Sequence, residues 1–383
     1  MRFRPFVLIV LALIALLHFY IGARLLPDLP ISMAARIGGA VILIVSCVLM
    51  PMTLLARSVR QPWSDAMAWA GFLTMSLFSS LLLLTLLRDI VLGIALLSSA
   101  YSSIVTGSAI AVPALALAAT LAGLINAQRR ARIVNVDVPM NNLPAALHGF
   151  IIVQISDIHV GPTIKRGYLD AIVDAVNAVN ADMIAVTGDL VDGSVRMLAP
   201  HTAPLARLAA RHGAYFVTGN HEYYSGAPAW IAEITRLGLR VLSNEHVVLL
   251  HDGAALLVAG VPDYSAHHFI PAHRSDPVAA LAGAPAEIRH RILLAHQPRT
   301  APAAAAAGFD LQLSGHTHGG QFWPWNLFVR FQQPFSAGLH RLNDLWVYTS
   351  RGTGYWGPPN RFGVPSEITR VRLVAAPAPD GAK

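Results

Sequence analysis

Apolar positions follow two different patterns along the 383 residues. Up to residue 132 they form long, nearly unbroken runs at 6–26, 37–56, 68–87 and 104–126, each close to the ~20 residues that cross a bilayer core. From residue 133 onward, short apolar runs alternate with amphipathic segments. The runs at 150–156, 183–187, 214–218, 255–261, 292–295 and 311–314 predict buried strands. Between the first two, residues 164–180 put Leu169, Ile172, Val173, Val176 and Val179 on one helix face and turn Asp170, Asp174 and Asn177 outward. Strand, helix and strand in repetition mean α/β layers, and about 240 residues suffice for one domain with a full core. APAAAAAG at 301–308 predicts a helix closed by its glycine, and APAPDGAK at 376–383 a frayed tail. The expected organisation is a transmembrane region of about four helices at 1–132, an α/β domain at 133–375 and a disordered tail at 376–383.

Within the first region, residues 90–103 can either lengthen the third span past a kink at Arg88 and Asp89 or form a short fifth span. The first run is long, and no small-residue cleavage site is obvious before further spans follow, which favours an uncleaved anchor over a signal peptide. With four spans and the N-terminus inside, Arg2, Arg4, Arg57, Arg60, Arg129, Arg130 and Arg132 lie on the cytoplasmic side, against Arg24, Arg36 and Arg88 outside. That bias predicts a multi-pass cell-membrane protein with a cytoplasmic α/β domain, because positive loops stay inside. A fifth span would carry the QRRAR cluster at 128–132 across the membrane. Cys47 is the single cysteine, so there is no disulfide framework, in keeping with a reducing compartment. His18 is expected near the interface or paired with another helix.

Composition sharpens this division. Hydrophobic residues make up 54% and charged ones only 13%, with mean hydropathy +0.51, too apolar for an ordinary soluble enzyme of this size. The pI of 9.9 suggests a nucleic-acid binder. Residues 1–132, however, hold ten Lys/Arg and three Asp/Glu, and the remainder eighteen of each, so the whole net charge of +7 belongs to the membrane region. The α/β region is neutral and lacks the electrostatic footprint of nucleic-acid recognition.

The predicted strands share one feature at their C-terminal ends. FIIVQISDIHVG delivers Asp157 and His159, MIAVTGD delivers Asp189, AYFVTGNHE delivers Asn220, His221 and Glu222, ILLAHQP delivers His296, and LQLSGHTH delivers His316 and His318. Ligands bind at the carboxyl ends of strands in open α/β sheets, so these residues assemble one site. Mixed imidazole and carboxylate donors suit Mn, Fe or Zn, and there are too many for one ion. A carboxylate such as Asp189 can bridge two ions, and a metal pair can activate water and clamp the attacking and leaving oxygens of a phosphoryl displacement. Glycines before Asp189, Asn220 and His316 allow sharp exits from the strands.

Asp157-x-His159, Gly188-Asp189, Gly219-Asn220-His221-Glu222, His296 and Gly315-His316-x-His318 resemble, in order and spacing, the signature of calcineurin-like metallophosphoesterases. GNHEYYSG, VLSNE, GHTHGGQ and GTGYWGPPNRFGVPSEI, together with the leading apolar runs, are similar to a membrane-anchored branch of that family. The resemblance implies a four-layer α/β/β/α fold and two divalent metal ions. Asp157, His159 and His318 would hold the first ion, Asn220, His296 and His316 the second, and Asp189 both. His221 would be the catalytic group, facing the phosphate to stabilise charge or protonate the leaving oxygen. The expected activity is hydrolysis of a phosphodiester, phosphomonoester or diphosphate by water, with the anchor favouring a lipid-linked substrate.

Other readings bear on the remaining residues. A membrane scaffold or receptor with a decayed enzyme domain is the alternative class, but Asp157, Asp189, Asn220 and His221 are all present. A transporter is disfavoured because the spans offer only Arg88, Asp89 and His18 as intramembrane polar groups. His201, His212, His246, His251, His267, His268, His273 and His290 read as surface residues, the 267–268 pair alone being placed where it can line the cleft. Trp323, Trp325, Phe328 and Phe331 either pack in a core or form an apolar lip at the membrane interface. Tyr355, Trp356 and Arg361 either bind a leaving group or close the domain.

Overall fold

The computed structural model describes residues 3–56, 59–97 and 101–377, with only the backbone of Phe3 and Arg4. Arg2 and Arg57, the Arg4 side chain, residues 98–100 and the tail from 378 therefore lie outside the described residues. The chain divides into one unit of residues 1–126 with 357–362, and a second of residues 127–356 with 363–383.

Among its described residues the first unit holds four helices long and apolar enough to cross a membrane, α1 (Phe3–Leu25), α2 (Met33–Ala56), α3 (Trp63–Ala95) and α4 (Tyr101–Gln128). Residues 90–95 lengthen the third helix without a break at Arg88 and Asp89. Ile21, Leu25, Met50, Phe78 and Val112 form the apolar seam of this unit. Gly71 lets α2 and α3 approach, since a Cβ there would collide with Thr53 and the Leu49 carbonyl. Buried polar groups find partners on neighbouring helices. His18 shares a hydrogen bond with Ser46 Oγ (2.8 Å) and stacks on Phe78. Arg88 donates to Asp28 (2.5 Å), Ser108 Oγ (3.0 Å) and the carbonyls of Arg24 and Val105. The segment 357–362 belongs here through Asn360 Nδ2, which donates to Ser76 Oγ (2.8 Å), and the Arg361 N–H, which donates to the Gly123 carbonyl (3.0 Å).

The described residues of the second unit form twelve strands in two sheets. Strands β1 (Arg132–Met140), β2 (Ile151–Ile155), β3 (Met183–Thr187), β4 (Ala214–Val217) and β5 (Arg240–Val241) are joined in the first sheet by the last strand, β12 (Glu367–Ala375), in the order β1-β12-β2-β3-β4-β5. The second sheet takes the order β10-β11-β9-β8-β7-β6, from β6 (Glu245–His251), β7 (Ala254–Gly260), β8 (Arg291–Leu294), β9 (Leu311–Ser314), β10 (Gly338–Leu342) and β11 (Leu345–Thr349). Strands β2 to β5 run parallel, as do β7, β8, β9 and β11.

Alternate side chains on the central strands build separate layers, as the two-residue period of a strand requires. Ile152, Met183, Val217, Val258, Leu294 and Leu313 fill the space between the sheets. Val153, Ile184, Val186 and Phe216 turn the other way onto the helices α5 (Arg166–Asn177), α6 (Val195–Thr202) and α8 (Ala227–Arg236), where Leu169, Ile172, Val173, Leu198, Trp230 and Ile234 meet them. On the far side of the second sheet, Leu257, Ala259, Leu293 and Val347 pack against Ala301 and Ala304 of α9 (Ala301–Ala306). The result is the expected four-layer α/β/β/α arrangement. One sequence expectation is corrected, and one alternative left open is decided. His251 and His290 are buried rather than superficial, the first packed on the Phe150 ring and the second bonded to the Asn142 carbonyl (3.2 Å). Trp323, Trp325, Phe328 and Phe331 are all exposed and pack in no core.

Candidate functional site

Backbone pairing between β2 and β3 continues past the end of both strands. Asp157 N–H donates to the Gly188 carbonyl (3.0 Å), His159 N–H to Asp189 (3.1 Å), Val160 N–H to Leu190 (2.8 Å) and Asp192 N–H back to Val160 (2.9 Å). Two adjacent loops are thereby held in register. Asp157, His159, Asp189, His316 and His318 all have positive φ, between 51° and 71°. Left-handed backbone is uncommon outside glycine, tolerated best by Asp, Asn and His, and concentrates at functional sites. Glycines complete the close approach. A Cβ at Gly219 would collide with Asp189, and one at Gly315 with Ser156 and Asp157.

The side chains converge in three groups. Asp157, His159 and His318 form one, Asp189, His296 and His316 a second, and His159, Asp192 and His221 a third, with ligand-type atoms within 4.8 Å of one another in each. His159 Nε2 and His318 Nε2 are 3.0 Å apart, and His318 Nε2 is 3.6 Å from Asp157 Oδ1. His316 Nδ1 lies 3.2 Å from His296 Nε2, which is 3.1 Å from Asp189 Oδ2. That same Asp189 oxygen is 4.0 Å from His159 Nε2, so one carboxylate faces both metal-type groups. Donors about 2.1 Å from a shared ion sit roughly 3 to 3.5 Å from each other, which is the spacing of the three closest pairs here.

Hydrogen bonding fits the same donor set. His296 is fully buried and its Nδ1 donates to the Thr187 carbonyl (2.7 Å), which fixes the ring and directs Nε2 into the site. Asn220 opens α7 (Asn220–Ser225), and its Oδ1 is buried with no hydrogen-bond partner. Gln154 and Gln312 each have a buried amide oxygen in the same condition, so it is the place of Asn220 next to His221 in the chain that singles it out. These residues fit divalent metal. Among the sequence-predicted ligands, the structure gathers Asp157, His159, Asp189, His296, His316 and His318 directly, and sets Asn220 one residue before His221.

His221 stands beside the metal-type groups. Its N–H donates to Asp189 Oδ1 (2.8 Å) and its Nδ1 meets Asp192 Oδ1 at 2.5 Å. Burial pulls its pKa down, but the carboxylates of Asp189 and Asp192 outweigh this and push it up to about 9. Burial likewise disfavours the Asp192 carboxylate, yet His159 and His221 hold it well below the usual range. Burial and the neighbouring His296 bring His316 down to about 3, which keeps it neutral and ready to ligate.

Two residues of this network had no role assigned from sequence. Asp192 takes both the His159 and the His221 rings, and its only signal was the second acid of GDLVDG. Glu222 is fully buried and accepts from the N–H groups of Gly219 (2.6 Å), Leu190 (2.8 Å) and Asp189 (3.0 Å), bracing both loops from beneath.

The calcineurin-like phosphoesterase profile matches residues 150–320, and an uncharacterized metallophosphoesterase of Aquifex aeolicus is 31% identical over 224 residues, 58% of this chain and 84% of that one. The chain belongs to the calcineurin-like phosphoesterase family. A Bos taurus protein named transmembrane protein with metallophosphoesterase domain is 41% identical over 281 residues, 69% of this chain and 63% of the relative. An uncharacterized metallophosphoesterase of Helicobacter pylori is 39% identical over 228 residues, 58% of this chain and 59% of the relative. The chain thus spans less than two thirds of the length of these two relatives. The four apolar helices fit the transmembrane name of the Bos taurus relative, and the His/Asp groups fit the metallophosphoesterase name that all three relatives carry.

Proposed function

We propose that the chain is a multi-pass membrane phosphoesterase that holds two divalent ions and hydrolyses a phosphoester or diphosphate bond with water. The observation that carries this reading is one buried carboxylate, Asp189, facing two His/Asp groups at the ends of adjacent strands, with His221 at their side. Asp157, His159 and His318 would hold one ion, Asn220, His296 and His316 the other, and Asp189 would serve both. Mn, Fe and Zn match this donor chemistry. Such ions supply Lewis acidity at the phosphoryl group and acidify water. His221, protonated at neutral pH, contributes a positive charge to the phosphate and a proton to the departing oxygen. Asp192 keeps that ring oriented and charged.

The arginine bias assigns the catalytic unit to the cytoplasm, and a cytoplasmic-only reporter fused after Lys383 should be active; activity of a periplasmic or extracellular reporter overturns the assignment. The lipid-linked reading rests on the exposed Trp323, Trp325, Leu327, Phe328 and Phe331, crowded into 323–331 beside Arg330. Tryptophan and arginine together favour the membrane interface. The full chain in mixed micelles, supplied with each metal in turn, should cleave a phosphodiester panel, and Trp323→Ala with Trp325→Ala should slow lipid phosphates while sparing soluble ones. Equal slowing of both classes argues that the aromatic segment serves the fold rather than lipid capture.

A further inference from the structure

The backbone around Trp356 is pinned on every side. Thr353 N–H donates to the Ser156 carbonyl (2.7 Å) and Gly354 N–H to the Asp157 carbonyl (3.1 Å). A side chain at 354 would strike the Ile158 carbonyl. Gln321, the last residue of GHTHGGQ, brackets Trp356 itself, its Nε2 donating to the Trp356 carbonyl (2.9 Å) and its Oε1 accepting the Trp356 N–H (2.8 Å). Gln321 adopts φ 61° to do so. Yet the indole is 54% exposed. A large aromatic ring on a rigid backbone, left exposed, is not explained by packing.

The indole stands at the edge of the His221 ring, with centroids 5.5 Å apart and planes at 73°. A second exposed ring, Tyr224, meets His221 from elsewhere at 5.1 Å, and Phe269 extends this wall at 5.5 Å from Tyr224. Tyr224 and Phe269 are 57% and 49% exposed. His221 is the group proposed to protonate the leaving oxygen, so whatever is attached to that oxygen emerges among these rings. Resting on the phosphoesterase reading above, we propose that Trp356, Tyr224 and Phe269 form an aromatic subsite for the leaving group, selecting phosphate esters whose alcohol carries a ring with a flat apolar face. Offset stacking and edge contacts with such a face add affinity that a flexible chain of equal carbon number does not gain. Gln321 acts on this subsite as a positioning residue.

The test uses three phosphonates, methyl, phenyl and hexyl, titrated calorimetrically into the full chain in detergent micelles loaded with Mn(II). Phenylphosphonate should bind about 10-fold more tightly than methylphosphonate and clearly more tightly than hexylphosphonate. Trp356→Leu should bring the phenyl-to-methyl ratio close to one, Tyr224→Leu should lower it partway, and Trp356→Phe should preserve most of it. Elemental analysis of bound manganese verifies that each variant retains its centre. A phenyl-to-methyl ratio near one in the unsubstituted chain, a ratio unmoved by Trp356→Leu, or hexylphosphonate matching phenylphosphonate each overturns the ring-selective subsite and leaves the phosphoesterase reading standing. Failure of all three phosphonates to bind removes the phosphoesterase reading and the subsite with it.

Discussion

Arg88 in the helical unit and Asp189 at the end of β3 are both charged and almost wholly buried, at 3% and 2% exposed. Arg88 is closed out by its surroundings: one carboxylate, one hydroxyl and two carbonyls take its donors. Asp189 is surrounded by groups that cannot all be satisfied by one another. Imidazole nitrogens of His296, His221 and His159 approach its outer oxygen, while His159 and His296 face further imidazoles at 3.0 and 3.2 Å. Two ring nitrogens at such a distance need either a proton between them or a common cation. The contrast separates polar groups that complete a structure from polar groups left pointing at a shared position, and burial alone would not have told them apart.

The sharpest way to break that contrast is to remove Asp189. Asp189→Ala should release most of the bound metal and lower turnover roughly 1,000-fold or more, because the carboxylate shared by both groups and an electrostatic anchor disappear together. His221→Ala should keep its metal and lose about 100-fold in rate, as for a group acting in the transition state. Elemental analysis beside steady-state rates distinguishes the two, and equal metal loss in both variants would reverse the assigned roles.

A smaller effect tests how His221 is tuned. Its pKa of about 9 lies above the ordinary histidine value, so the ring is charged through neutral pH and loses its proton as pH rises through 9. Turnover should therefore fall on the alkaline side, at a pH below 9 because the dications held by Asp189 offset part of the charge that raises His221. Folding stability follows the same sign: the contribution of charged His221 is complete below pH 6.5 and fades as pH rises through about 9. Asp192→Asn removes one of the two carboxylates responsible, so the alkaline limb should move toward neutrality and turnover at pH 8 should drop about 10-fold. A pH–rate profile whose alkaline limb stays in place in Asp192→Asn would assign that limb to another group.

The site was the most legible part of the sequence, because each ligand follows an apolar run and the glycines that permit sharp exits sit immediately beside them. Its second layer was not. Asp192 and Glu222 look like ordinary loop acids until the fold sets them beneath His159, His221 and the Asp189 backbone. The central strands were visible as continuous apolar runs, being buried on both faces. The edge strand β1 and its inner neighbour β12 were missed for the opposite reason: Asp137 and Arg372 pair across them in solvent, and this charged alternation was not read as sheet. Their parallel pairing joins residues more than 230 positions apart, which no local pattern encodes. The helical spans followed directly from length and hydropathy, yet the partners of His18 and Arg88 lie on other helices and had to await the fold.

The smallest effect on chemistry should come from the other side of the comparison. Arg88→Met leaves Asp28, whose side chain is 32% exposed, without its buried partner, and the Ser108 hydroxyl and two carbonyls without their donor, which costs about 1 to 2 kcal/mol. The change lies in the helical unit, so bound metal and turnover on a soluble phosphodiester should stay within about 2-fold of the unsubstituted chain, while the temperature at which the detergent-solubilised protein loses its helical signal should fall. Replacing both members, Arg88→Met with Asp28→Asn, should recover much of that loss, because an apolar side chain opposite a neutral amide carries no uncompensated charge. Circular dichroism melts of the three proteins, run beside the metal analysis, give the decisive pattern. If Arg88→Met strips metal as thoroughly as Asp189→Ala, the two kinds of buried charge are not separable, and the helical unit takes part in the chemistry rather than only in the anchoring.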